Sequence, residues 1–275
     1  MTSCHKERPL LAVDGDSLAH RAYHALPKSI RRNAVVGFAN FLVRLWEGER
    51  PRTILVAWDT LGVPTYRHEA LAAYQSGREF EDSIVEQLDE LPALVEALGF
   101  ACAKGAGYEA DDFLAAAAAA EPGPVLVATS DRDAFQLVSD RVTILQPVKG
   151  VSELARIGPA EVRERYDCEP AQVPDLIALR GDPSDKIPGA RGVGPKTAAQ
   201  VLKQYGSLEA ALAEGRFAAE ADALRLYRRI ATMDASAPLP PLPDAEPTWK
   251  RAAALAEEWG LGRLAGRLEG LASTS

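Results

Sequence analysis

Short apolar runs alternate with longer amphipathic stretches from residue 10 to about 150, the pattern of βαβ units building a parallel sheet. The runs at 10–14, 54–59, 125–129 and 142–145 are predicted strands, with a weaker one at 100–103. Between them, 37–46 and 82–98 are predicted helices. The second sets Ile84, Leu88, Leu91, Leu94, Val95 and Leu98 on one stripe at helical spacing. Residues 111–120 carry a run of alanines after Leu114 and predict a closely packed helix with little side-chain bulk. From about 157 the strands stop. Helices are predicted over IGPAEVRERY, VPDLIAL, KTAAQVLKQY and SLEAALAEG, followed by a Pro-rich segment at 237–247 that should run extended over the surface. The last stretch, 249–271, spaces Leu255, Trp259, Leu264 and Leu268 as one helix face that packs back onto the body. The organisation expected is an α/β core over 1–156 and a helical region over 157–275.

Three of the apolar runs end in an acid: LLAV before Asp14, ILVAW before Asp59, and VLVAT before Ser130 and Asp131. In open α/β sheets, sites form beyond the carboxyl ends of the strands. If these strands are neighbours, their acids share one crevice. Two more clusters lie elsewhere, Glu109-Ala110-Asp111-Asp112 and Asp182 with Asp185 in GDPSD, and Asp133 follows Asp131 in SDRD. Each piece alone has an ordinary explanation, as first-turn acids suit a helix dipole and aspartate is common in turns. Together they point to a divalent-metal site, because so many like charges cannot stay ionised in one crevice without cations. Mg²⁺ or Mn²⁺ prefers oxygen ligands and keeps several waters, so one or two direct carboxylates per ion suffice. Two or more such ions suit phosphoryl transfer. His5, His20, His24 and His68 are scattered, and no protein nucleophile stands beside a base.

Composition narrows the setting. The 275 residues are 47% hydrophobic and 25% charged, as in ordinary globular proteins, and no apolar run approaches the ~20 residues that span a bilayer. The amino-terminal MTSCHKERP lacks the apolar stretch of a secretory signal, and three widely spaced cysteines fit a reducing compartment better than a disulfide framework. A reducing cytoplasm is the expected setting. The net charge of −8 does not exclude nucleic acid, because without the nine clustered carboxylates it would be +1.

Directly after GDPSDK, the segment Gly192-Val193-Gly194 leads into Pro195-Lys196-Thr197 and a helix. A glycine hairpin allows close backbone approach, and exposed N–H groups at a helix start bind phosphate. With Lys196 and, further along, Lys203, this predicts binding to the DNA backbone without base readout. Such a hairpin sometimes encloses a monovalent cation such as K⁺ through its carbonyls.

AVDGDSLAHRAYHALP, NAVVGFANFL, WDTLGVPTYRHE, GYEADD, TSDRDAFQLVSD and GDPSDKIPGARGVGPKTAAQVLKQYGSLEAAL, spread in order along the chain, carry a family likeness. The sequence resembles the bacterial and phage 5′-nuclease family, which includes the N-terminal nuclease domain of DNA polymerase I and the flap endonucleases. The resemblance implies a PIN-like α/β nuclease core, a mostly parallel sheet flanked by helices, with a helical arch near 74–98. It also implies a helix–three-turn–helix DNA-binding unit near 176–212, in which Gly192, Val193, Gly194, Lys196, Thr197 and Lys203 contact DNA. The implied activity is metal-dependent hydrolysis of a phosphodiester near a 5′ single-strand/duplex junction, as a flap endonuclease and 5′-3′ exonuclease. By position, Asp14, Asp59, Glu109, Asp111 and Asp112 are implied ligands of a first metal, direct or through water, and Asp131, Asp133, Asp182 and Asp185 of a second. Arg21 and Arg67 match basic residues near the cleft where the scissile phosphate would lie, a role with which a salt bridge to the acidic cluster is compatible. The family usually has Tyr-Lys-x-x-Arg at the arch base, and this chain has Tyr74-Gln75-Ser76-Gly77-Arg78. Gln75 cannot supply the lysine's charge, so Arg78 is expected to compensate in part. Lys186 stands where the family often has asparagine. No polymerase segment follows, so the expectation is a stand-alone, monomeric nuclease. The resemblance adds a bacterial, nucleoid-associated location. Its expected partners are DNA with a 5′ flap, nick or 5′ overhang and RNA primers, with no membrane partner. Two alternatives are a non-catalytic binder of DNA junctions and an aspartyl phosphatase using Asp14-Gly15-Asp16-Ser17. The second leaves the GDPSD hairpin without purpose.

Overall fold

A six-stranded sheet in the order β3-β2-β1-β4-β5-β6 forms the centre of the computed structural model, which describes residues 8–77, 80–149 and 153–274. The strands are β1 (Leu10–Asp14), β2 (Thr53–Ala57), β3 (Ala101–Ala103), β4 (Val125–Ala128), β5 (Val142–Lys149) and β6 (Glu153–Ile157). The first five are parallel, and β6 returns antiparallel along β5. Every residue of β1, β2 and β4 is buried, as apolar runs without polar alternation require of strands covered on both faces. Each fully buried Leu or Val there contributes ~1.5–3 kcal/mol.

Side-chain alternation divides the core in two. Leu10, Ala12, Leu55, Ala57, Val125 and Val127 face one layer, with Phe113 and Leu114 of helix α5. Leu11, Val13, Ile54, Val56, Leu126 and Ala128 face the other, with Phe38, Leu42, Leu91 and Leu94. The helices are α1 (Gly15–Ala25), α2 (Asn33–Glu49), α3 (Tyr66–Ala70), α4 (Asp82–Ala97), α5 (Ala110–Ala120), α6 (Pro159–Tyr166), α7 (Val173–Arg180), α8 (Pro195–Tyr205), α9 (Leu208–Ala213), α10 (Ala221–Ala231), α11 (Trp249–Glu258) and α12 (Gly262–Thr274). Because β1 has β2 on one side and β4 on the other, the strand order reverses beside β1. The carboxyl ends of β1, β2 and β4 therefore flank a switch-point crevice.

Several elements differ from expectation. Helix α1 begins directly after Asp14, whose side chain caps it by accepting from Ser17 N. One residue thus ends a strand, caps a helix and lines the crevice, a combination that hydrophobic periodicity does not report. Strand β6 was not foreseen, because ELARI is half exposed and weakly alternating; α10 also went unrecognised. The arch expected near 74–98 is, from Asp82 onward, a core helix whose Ile84, Leu88, Leu91, Leu94 and Val95 are buried. The carboxyl-terminal stretch is two helices rather than one, turning at Gly260 with φ +72°. Trp249, Ala252, Ala256, Leu264 and Leu268 join the α2–α4 side of the sheet. Consequently α11 and α12 complete the α/β core instead of extending the helical region. The segment 238–248 runs without regular structure, as its prolines dictate.

Candidate active site

Asp14 places one oxygen on the amino-terminal turn of α1 and the other on Thr129, whose hydroxyl donates at 2.6 Å. Thr129 immediately follows β4, so this bond ties the ends of adjacent strands. Asp59, two residues past β2, accepts from Ala110 N at 2.7 Å, and its own N–H donates to Asp16 Oδ2 at 2.7 Å. Glu109 caps α5 and accepts from Thr65 Oγ1 at 2.9 Å and Tyr74 Oη at 3.0 Å. Asp131 is fixed by Thr129 Oγ1, which accepts its N–H at 3.0 Å. These contacts gather Asp14, Asp16, Asp59, Glu109, Asp111, Asp131 and Asp185 around one crevice of about 220 Å³. Asp131 also borders an adjoining hollow of about 490 Å³ with Asp133 and Asp182. Five chain segments far apart in sequence therefore meet.

The loop carrying Asp182 and Asp185 is drawn tight. Asp182 and Ile187 exchange backbone hydrogen bonds of 2.8 Å. A Cβ on Gly181, at φ +78°, would stand 2.7 Å from the carbonyl oxygens of Ile187 and Pro188. Only glycine permits that approach. Gln75 bridges to this loop, its amide donating to Tyr74 Oη at 2.9 Å and Asp185 Oδ1 at 3.1 Å. It thus couples the Glu109 side of the crevice to the Asp185 side.

Crowding shows in the protonation of these acids. Burial, reinforced by Asp59 and Asp131, pushes Asp14 up to about 7. Burial first, then neighbouring carboxylates, raises Asp16, Asp111 and Asp133 well above the usual range, with Arg180 partly offsetting the rise at Asp133. Glu109 is raised by burial. The Asp111 carboxylate accepts no hydrogen bond among the described residues and is partly buried. No three His, Cys, Asp or Glu side chains among the described residues already close around one point as a direct ligand set. An all-oxygen, under-satisfied and repelling donor set of this spacing fits hydrated hard divalent cations, held by one or two carboxylates and, through water, by the others.

Two expected site residues fall elsewhere. Asp112 is fully buried, and both of its oxygens are engaged by Arg67 at 2.8 and 2.6 Å, by Glu109 N and by Asp234 N. It is therefore corrected from metal ligand to structural anion. Its partner Arg67, 2% exposed, also donates to Ile230 O at 3.0 Å and lies 3.5 Å from Glu109. Arg67 is thus a buried tie between α3, α5 and α10 and cannot reach a scissile phosphate. Position parity explains the miss. Asp111 and Asp112 are adjacent on a helix, about 100° apart, so one faces the crevice and the other the core. Arg21, half-buried on α1, is not among the residues lining either hollow, and Arg78 lies outside the described residues. Two further crevice residues were missed as site members. Asp16 was noted only within the DGDS pattern, and Arg180 stands 3.8 Å from Asp182 at the end of α7. The strand-then-DxD signal could have found Asp16; nothing local marks Arg180.

Further along, Gly192, Gly194, Lys196 and Thr197 are exposed at the start of α8, with Val193 half-buried against the core. Lys203 is exposed in the last turn of α8, 4.0 Å from Asp167.

Residues 9–167 match the model of the 5′-3′ exonuclease N-terminal, resolvase-like domain, and residues 168–252 match that of the 5′-3′ exonuclease C-terminal SAM fold. The chain belongs to the 5′-3′ exonuclease family. It is 35% identical to a 5′-3′ exonuclease of Streptomyces coelicolor over 301 aligned positions, covering 96% of this chain and 99% of that one. It is 45% identical over 216 residues to DNA polymerase I of Mycobacterium leprae, and there it spans 24% of the relative's length. In fold it is similar to the T5 5′-exonuclease solved with divalent zinc ions, with a TM-score of 0.72 at 18% identity, covering 96% of this chain and 99% of that one.

Proposed function

We propose that this 5′-3′ exonuclease-family chain hydrolyses phosphodiester bonds of DNA near 5′ single-strand/duplex junctions, acting as a 5′-flap endonuclease and 5′-3′ exonuclease. The observation that carries the reading is the meeting of Asp14, Asp59, Glu109, Asp111, Asp131 and Asp185 on one crevice, with Asp133 and Asp182 adjoining it. Divalent ions bound there would activate a water and stabilise the leaving oxygen of a phosphodiester. Mg²⁺ or Mn²⁺ is the proposed pair, supported by the carboxylate donor set and by a T5 relative solved with DNA and metal ions.

The chain's own residues do the rest. Asp14 and Asp131 supply charge from the sheet edge and Asp111 from the first turn of α5, while Asp133, Asp182 and Asp185 supply it from the two loops. Tyr74 and Gln75 hold Glu109 and Asp185 in register across the crevice. The exposed α8 amino terminus with Lys196 and Thr197 grips the duplex backbone, and K⁺ at the hairpin carbonyls belongs to the same proposal. A cytoplasmic, nucleoid-associated monomer processing replication and repair intermediates, RNA primers included, completes it.

The test is cleavage of an end-labelled 5′-flap duplex with Mg²⁺ or Mn²⁺, beside an Asp131→Asn variant and a single-stranded oligonucleotide. Cutting at the junction by the wild type alone is expected. Equal cutting by both proteins would refute the assignment, and junction binding without cutting would favour the non-catalytic reading.

A further inference from the structure

The crevice does not end at the carboxylates. Asp59, Gln75, Phe80 and Glu109 also border a second hollow of about 330 Å³. Tyr108 is shared between that hollow and a third, of about 680 Å³, between the start of α3 and the end of α10. The three open in series. Leu61, Val63 and Phe80 are 37%, 41% and 43% exposed, and all three line the middle hollow. Large apolar side chains left in water and grouped in this way mark a binding surface rather than chance exposure.

The far hollow adds charge and aromatic rings. Arg229 is exposed, with its guanidinium 5.9 Å from the centroid of the Tyr66 ring, and no ion pair of Arg229 lies among the described residues. Its neighbour Arg228 is held by Asp175. Tyr66 is fixed in place, its hydroxyl donating to Thr232 O at 3.1 Å. The acid in this hollow, Asp234, is turned into its own loop, where it accepts from Ser236 N at 2.9 Å and Ser236 Oγ at 2.6 Å. Stacking surface, apolar strip and a guanidinium without an acidic partner are what single-stranded nucleic acid uses.

We propose that the Leu61–Val63–Phe80 strip and the Tyr108–Arg229 hollow form a subsite for the single-stranded DNA of a 5′ flap. Bases lie on the apolar strip and Tyr108, and a flap phosphate meets Arg229. The subsite lies off the sheet edge, on the opposite side of Gln75 from Asp133 and Asp182 in the order of the hollows. The proposal rests on the 5′-nuclease reading and gives that site a flap-length preference.

The test compares the wild type with Tyr108→Ala and Arg229→Ala on duplexes bearing a flap of about ten nucleotides or of one nucleotide, with 2-aminopurine placed within the longer flap. In the wild type, binding should quench the 2-aminopurine, and both variants should weaken that quenching. KM on the long flap should rise about fivefold or more relative to KM on the short one. Variants that leave both the quenching and the KM ratio unchanged would overturn the subsite. Quenching in a wild type that cuts neither substrate would keep the subsite and sink the nuclease reading, so the two failures are distinguishable. Tyr108→Phe, which retains the stacking ring, should restore quenching; failure to do so while Tyr108→Ala abolishes it would also count against base stacking.

Discussion

Replacing Asp14 by Asn should stabilise the metal-free protein at pH 8 while abolishing its activity. Asp14 rises from the ordinary 3.8 to about 7 through burial and the nearby Asp59 and Asp131. The folded chain therefore prefers this carboxyl protonated. Its contribution to stability is fully present below pH 3.8 and is lost as pH rises through about 7. That interval corresponds to about 4 kcal/mol withheld from the folded state once the group ionises. Asn cannot ionise, so it escapes the loss. It also offers one acceptor where the carboxylate accepts from Ser17 N at 3.0 Å and Thr129 Oγ1 at 2.6 Å, which costs about 1 kcal/mol. The net gain at pH 8 is about 3 kcal/mol, or roughly 5–10 °C in Tm. At pH 4 only the lost hydrogen bond remains, and the variant should be the less stable by about 1 kcal/mol. Urea unfolding in chelator at both pH values measures the crossing. Saturating Mn²⁺ should then stabilise the wild type more than the variant, since an ion that binds only the folded state adds stability by mass action. A variant less stable than the wild type at pH 8 in chelator would refute the electrostatic account of the crevice.

Arg67→Met leaves Asp112 charged and buried without its partner, so urea unfolding should show a loss of about 3–5 kcal/mol; a loss below about 1 kcal/mol would mean that the pair is not the tie described. Gly181→Ala forces an L residue to φ +78° with its Cβ 2.7 Å from two carbonyl oxygens. It should cost ~1–3 kcal/mol and lower cleavage more than duplex binding, because Asp182 and Asp185 shift; unaltered kcat would argue against a rigid loop. Lys196→Ala should weaken duplex binding uniformly across sequences and reduce the slope of log Kd against log salt by about 0.9. A change confined to particular base sequences would contradict backbone-only contact.

Local patterns determined much of this protein. The strands β1, β2 and β4, the helices α4, α5 and α8, and the strand-end acids follow from runs, periodicity and turn residues that each depend on a few neighbours. The convergence of Asp14, Asp59 and Asp131 was legible because parallel strands deliver their carboxyl ends to one edge. What the sequence left open depended on which way a side chain faces once elements pack. Asp111 and Asp112 are neighbours of the same type, yet the turn of α5 sends one to the crevice and the other to Arg67. The stripe along 82–98 was read correctly as apolar, but tertiary packing made it part of the core. Helices α11 and α12 likewise joined the α2–α4 layer across more than 150 residues of chain, as the contact of Thr248 Oγ1 with Ala97 O illustrates. Periodicity gives an element its apolar face; only the assembled layers supply the surface that covers it, and that choice is made by long-range packing.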